Sequence, residues 1–278
     1  MKQYGLPIVA ACLLLLFVGC GSDSQETIGL DDLEKFGSLP YLKTTRDQRL
    51  ADELARIVEE GGTPEQLTVD DDSDTVGAAL KMLFPKDELP GIVMESDELM
   101  PPREFEFDAK QLKHASDFRK RYNAQRLEAR EALKQPQPNL AIRFVAGFSA
   151  DTSVIDVVRV CVRLEAFDAA EMLAAGKVGG AIGSLEQMLA LAQCLASAKH
   201  LDARLHAAYL RAEAMAVMQA IVMHEKATRE DLKALLRIVQ VQLQNWTDDA
   251  AAWIGERAIG LHTYELVREG ALLILLTE

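Results

Sequence analysis

The 278-residue chain (30.6 kDa) carries 30 basic against 43 acidic residues, giving a formal charge of −13 and a pI near 4.9. That balance argues against a general nucleic-acid binder, which needs a basic face to neutralise phosphates. Apolar residues make up 49% and charged residues 26%, a globular composition, whereas 6% aromatics, five histidines and four cysteines leave few groups for cofactor stacking, metal ligation or nucleophilic attack. The expectation is no cofactor and no nucleic-acid partner.

The N-terminus reads as an address rather than as part of the fold. Lys2 precedes an apolar run of thirteen residues, Leu6–Val18, followed by the small Gly19 and then Cys20. Such a run is too short to cross a bilayer as a helix, which takes about 20 residues. Phe17-Val18-Gly19-Cys20 resembles the lipobox of bacterial lipoprotein signal peptides, with Phe17 where leucine is usual. The resemblance implies that residues 1–19 are a signal peptide, that Cys20 is lipidated with fatty acids such as palmitate, and that the N-terminal lipid ties the protein to a membrane of the bacterial envelope. Gly21 in place of aspartate implies, by the lipoprotein sorting rule, the periplasmic face of the outer membrane rather than the inner membrane. An ordinary secretory signal and an uncleaved anchor are the alternatives.

Charge then divides the chain. Residues 20–109 have a net charge of −15, residues 110–150 of +6 and residues 151–278 of −5. None of the nine prolines lies beyond Pro138, which permits uninterrupted helices there. The expected organisation is a tether at 20–30, an acidic helix-and-loop region at 31–108, a basic helix and linker at 109–138, and a helical domain at 139–278.

Taken in chain order, the elements are all helices. Thr44–Glu60 and Thr75–Phe84 read as helices, Pro85–Phe107 as an irregular stretch, and Ala109–Leu133 as a long basic helix. Asp151-Thr152-Ser153 caps a helix ending before Gly176, and a second runs from Ala181 to Lys199 with an apolar stripe of Ile182, Leu185, Leu189, Ala192 and Ala196. A third spans Asp202–Glu225, a fourth starts at Thr228-Arg229-Glu230-Asp231 in a near capping box, and a fifth starts at Thr247. No segment alternates with period two between hairpin turns, so the expected fold is all-α, with short turns favouring antiparallel helical hairpins in a short solenoid or bundle.

Leu173-Ala174-Ala175-Gly176-Lys177-Val178-Gly179-Gly180-Ala181, followed by Leu185, Met188 and Leu189, resembles the turn and second helix of a tetratricopeptide repeat, although Val178 and Met188 stand where Tyr and Ala are usual. Arg119–Gly270, with Gly255-Glu256-Arg257-Ala258, is similar to a group of uncharacterised exported or membrane-anchored bacterial proteins, a likeness that implies a fold and no activity. Repeats of this kind imply an interaction scaffold.

Few segments carry the residue types that a chemical site needs. Asp70-Asp71-Asp72-Ser73-Asp74 has oxygens at alternate positions, but Thr75 and Lys81 occupy places where a calcium loop needs Gly and Glu, so a solvated loop is expected. His114 with Asp117 and His262 with Glu265 share helix faces but supply too few ligands for a metal site. Met215, Met218 and Met223 are expected to fill gaps in the core. Glu95-Ser96 resembles the catalytic Glu-Ser of helical lytic transglycosylases, but its neighbours Asp97 and Glu98 do not make an apolar cleft. Ser149 lacks the closing glycine of a nucleophile elbow.

Cys161 and Cys194 are equidistant from the turn between their helices, which makes them a candidate disulfide, whereas their helical phases favour two buried thiols. Finally, Lys110, Lys113, Arg119, Lys120, Arg121, Arg126 and Arg130, with Lys134, form a basic helix that either contacts an anionic surface or neutralises acids of the same molecule. The functional expectation is an envelope-anchored scaffold that binds an unidentified protein or envelope component. An envelope enzyme using acidic residues, for example on a glycan, is the alternative.

Overall fold

The computed structural model describes residues 76–101, 105–134, 140, 142, 150–198, 200–245 and, towards the C-terminus, 252, 253, 256, 259, 260 and 263. The chain forms two units, residues 1–49 and 50–278, and all described residues belong to the second. The expected lipidation site Cys20, the helix expected at Thr44–Glu60, the start of the helix expected from Thr247, the Asp70–Asp74 run and Ser149 lie outside the described residues, while residues 252, 253, 256, 259, 260 and 263 of that last segment are helical.

Among the described residues the fold is all-helical, with eight helices and no strand. They are α1 (Val76–Lys81), α2 (Leu89–Leu99), α3 (Ala109–Arg121), α4 (Asn123–Ala132), α5 (Ser153–Ala174), α6 (Val178–Ser197), α7 (Leu201–Met223) and α8 (Arg229–Gln244).

Local chemistry explains most of the boundaries. Asp108 opens α3 with a capping box, accepting from the Lys110 and Gln111 amides at 2.8 Å while Gln111 Oε1 accepts from the Asp108 amide at 3.1 Å. The expected basic helix is interrupted at Tyr122, whose φ of −109° and ψ of 24° separate α3 from α4. At the end of α5, Lys177 N–H donates to Met172 O and Gly176 N–H to Leu173 O, both at 2.8 Å. This Schellman ending needs a left-handed residue, and Gly176 supplies it at φ +68°. Thr228 and Asp231 cap each other at the start of α8, and these hydrogen bonds hold the exposed Asp231 carboxyl below its usual range.

One stretch corrects the sequence reading. Pro85–Phe107 contains α2, which places Pro90 in its first turn. Proline read as a breaker is at ease there, because a first-turn amide has no intrahelical acceptor to lose.

Helix α5 is the axis of the fold. It packs against α1, α2, α3, α4, α6 and α7, while α6 also packs against α7 and α8. Every residue from Val160 to Ala170 is buried, as expected for a helix enclosed on all sides. One apolar cluster runs from Val76 on α1 to Ile238 on α8 and so unites the acidic, basic and C-terminal segments. Inside it an edge-to-face aromatic series links Phe105, Phe107, Phe167, Phe118, Tyr122 and Phe84, with successive centroids 4.9–6.2 Å apart. Phe118 and Phe167 are fully buried at its centre, so truncating either to alanine costs about 3–5 kcal/mol.

Candidate functional site

Two features stand out from ordinary core packing: a buried ionic seam along α5, and an apolar face on α7 that runs into a groove.

Glu165, Asp168 and Glu171 follow one another at three-residue intervals on α5, and Arg119, Asn123, Arg126 and Arg130 form a stripe along α3 and α4. The stripes meet. Arg119 grips Glu171 with two hydrogen bonds, Nε to Oε1 at 3.0 Å and Nη2 to Oε2 at 2.8 Å, and its Nη1 lies 3.4 Å from Asp168 Oδ1. Arg126 Nη1 lies 2.9 Å from Asp168 Oδ2 and 3.2 Å from Glu165 Oε2. Arg130 donates from Nε to Glu165 Oε1 at 2.6 Å and pairs a second time through Nη2 and Oε2. Asn123 Oδ1 accepts from both Arg119 and Arg126 at 3.3 Å, and Ser184 Oγ on α6 donates to Asp168 Oδ2 at 2.7 Å.

Three guanidinium groups thus face three carboxylates, and the seam is neutral. Burial opposes ionisation of Glu171, but hydrogen bonds from Arg119 and Ser116 and the positive charges of Arg119 and Lys120 together outweigh it and leave that carboxyl below its usual range. Arg119 and Arg130 are held above their ordinary value, first by hydrogen bonds to Glu171 and Glu165 respectively. Glu165 is 1% exposed, so removing it strands arginines in a low-dielectric interior, a loss of about 3–5 kcal/mol. Chemically the seam is closed, with each charge satisfied by another, so its work is to hold α3 and α4 in register on α5.

This arrangement divides the basic-helix candidates. Arg119, Arg126 and Arg130 turn inward, and their partners are the acids of α5, more than 30 residues away in sequence, rather than the acidic segment before them. Among the described residues, only Arg121 of the candidates pairs with that preceding segment, through Glu95 at 2.9 Å. Lys110, Lys113 and Lys120 are exposed. Glu95 is therefore a solvent-facing ion-pair member rather than a carboxyl in an apolar cleft, while the adjacent Ser96 is buried, donating to Val93 O and accepting from Arg163. Asp97 pairs with Arg159 and Arg163, which binds α2 to α5.

The cysteines stand as two free, buried thiols. Burial pushes the Cys161 thiol far up and that of Cys194 up to about 12, so neither is a ready nucleophile. Among the described residues no group of three or more His, Cys, Asp or Glu side chains is placed to hold a metal ion, and His114 and Asp117 are both exposed.

The second feature was missed by the sequence reading. Helix α7 buries Ala203, Ala207, Leu210, Ala214, Val217 and Ile221. At 100° per residue, Leu205, Ala208, Tyr209, Ala212, Ala216 and Met223 lie on the opposite face with Gln219 as its one polar member, and Ala216 is partly buried against the core. Leu205 is 51%, Tyr209 68% and Met223 78% exposed. Met218 packs against the core as expected, but Met215 is 41% exposed, so Met215 and Met223 do not fill the interior. The lower end of this face opens into a cavity of about 450 Å³ lined by Phe105, Phe107, Leu112, Leu173, Ala216 and Met223, among others. His224 closes its floor: the ring accepts from Lys226 N–H at Nδ1, so Nε2 carries the proton donated to Leu173 O at 3.0 Å.

Comparison with protein-family models, curated proteins and solved structures finds no match for this chain.

Proposed function

We propose that the protein is a lipid-anchored scaffold of the bacterial envelope that binds another protein along the outer face of α7. The observation that carries this reading is the apolar stripe from Leu205 to Met223, set opposite the buried face of the same helix and continuous with a cavity of about 450 Å³. Methionine at its mouth suits a surface that adapts to another side chain. The succession in which α5 packs on α6 and α6 on α7 supports a helical-hairpin, tetratricopeptide-like scaffold, in which stacked helices present an extended binding surface. The envelope address rests on Phe17-Val18-Gly19-Cys20.

A photoreactive amino acid placed at Met223 in the full chain, in native membranes, should crosslink to one protein, whereas the same group at Met82, 86% exposed just after α1, should not. Equal labelling from both positions, or none from either, defeats the scaffold reading. Metabolic labelling with a palmitate analogue checks the anchor: label should appear on the wild-type chain and vanish in Cys20→Ala.

A further inference from the structure

The apolar face of α7 does not end in neutral surroundings. Glu106, just before α3, and Glu225, just after α7, both line the cavity at its lower end, and both are exposed. Among the described residues neither forms an ion pair. Lys226, next to Glu225 in the chain, lies with its side chain across the α5–α6 turn, within 2.5 Å of where a Cβ on Gly176 would stand. There it faces the C-terminal end of α5, where a cation is favoured by the helix dipole. The groove is therefore mostly apolar, interrupted by Gln219 and His224, with two carboxylates at its mouth.

From this charge pattern, and resting on the scaffold reading above, we infer that the occupant is a cationic amphipathic helix of the partner protein. Its apolar side chains lie along Leu205, Tyr209, Ala212 and Met223, and its lysine or arginine side chains meet Glu106 and Glu225. The length fits: Leu205 to Met223 is 18 residue steps, a ridge of about 27 Å that matches a helix of similar length laid against it. An anionic amphipathic helix would present like charge to the two carboxylates, and an uncharged one would leave them unpaired, so the groove selects by charge as well as by apolar fit.

The test uses the full chain in nanodiscs of neutral lipid, with empty nanodiscs as the blank, and two fluorescent peptides of about 18 residues. Both carry leucines at helical spacing; one has lysine flanks and the other glutamate flanks. Anisotropy titration should show the lysine peptide binding at least about tenfold more tightly, with an affinity that falls as salt rises. The double variant Glu106→Gln with Glu225→Gln should weaken the lysine peptide about three- to tenfold and flatten its salt dependence. Tyr209→Ser with Met223→Ser, which alters only exposed side chains, should weaken it at least about tenfold.

Equal binding of the two peptides, no binding of the lysine peptide, or an unchanged affinity in either double variant overturns the inference. The scaffold reading is judged separately: a crosslinked partner at Met223 together with equal binding of the two peptides leaves the scaffold standing and removes only the cationic preference.

Discussion

His200 shows how much one side chain does in this fold. It is the N-cap of α7, is 8% exposed, and accepts the Ala203 amide at Nδ1. Burial lowers its pKa below the ordinary 6.5, against the opposing pull of Glu256 and Asp202, so the folded protein holds the neutral ring. The unfolded chain therefore binds a proton more readily than the folded one. The stabilisation this histidine provides is complete above about pH 6.5 and is lost as pH falls through the lower, folded value. Thermal unfolding followed by circular dichroism should show Tm declining as pH falls below about 6.5. His200→Asn, which keeps a capping oxygen and removes the titration, should flatten that part of the profile. An identical slope in the variant would show that another group is responsible.

At the scale of the helices, glycine positions separate tolerance from tight fit. A Cβ on Gly77 would stand 2.2 Å from the Leu140 carbonyl oxygen, a backbone atom, whereas one on Gly183 in α6 meets nothing within 4 Å. Gly77→Ala should therefore lower stability by about 1–3 kcal/mol, and Gly183→Ala should raise it by about 0.5–1 kcal/mol through helix propensity, both read from urea denaturation midpoints. A stabilised Gly77→Ala would mean that α1 does not press on Leu140.

The same scale shows what the sequence made legible. The Asp151 start of α5, its Gly176 ending and the Thr228–Asp231 box were readable because each is local chemistry complete within a few residues. Helix α2 was not, because prolines read as breakers conceal a first-turn proline. The two stripes of the ionic seam were each visible at helical spacing, but their pairing joins residues 35–52 positions apart, beyond the reach of local pattern. The outer face of α7 was hidden for a different reason: Ala214–Met223 contains no charged residue, and such a segment does not reveal which of its faces meets the core.

For the molecule as a whole, the average charge of −13 conceals a division of labour. The arginines of the basic segment are largely consumed inside, where three of them cancel the acids of α5, while its lysines remain on the surface. The seam is buried and so weakly screened, whereas the groove mouth is exposed and readily screened. Raising salt to about 1 M should therefore leave the unfolding midpoint nearly unchanged while sharply weakening any charged partner at Glu106 and Glu225. A large salt-induced loss of stability would show that the seam is open to solvent.

The seam also sets apart two kinds of contact in the fold. Helices α5, α6 and α7 follow one another in the chain and pack as sequential neighbours, so little loop entropy opposes their meeting. Glu165 and Asp168, however, have no counter-charge on α6 or α7 among the described residues and wait for arginines from far upstream. Sealing the acidic edge of α5 therefore depends on the contacts of greatest sequence separation, which carry a larger loop-closure cost than the packing of α5 on α6.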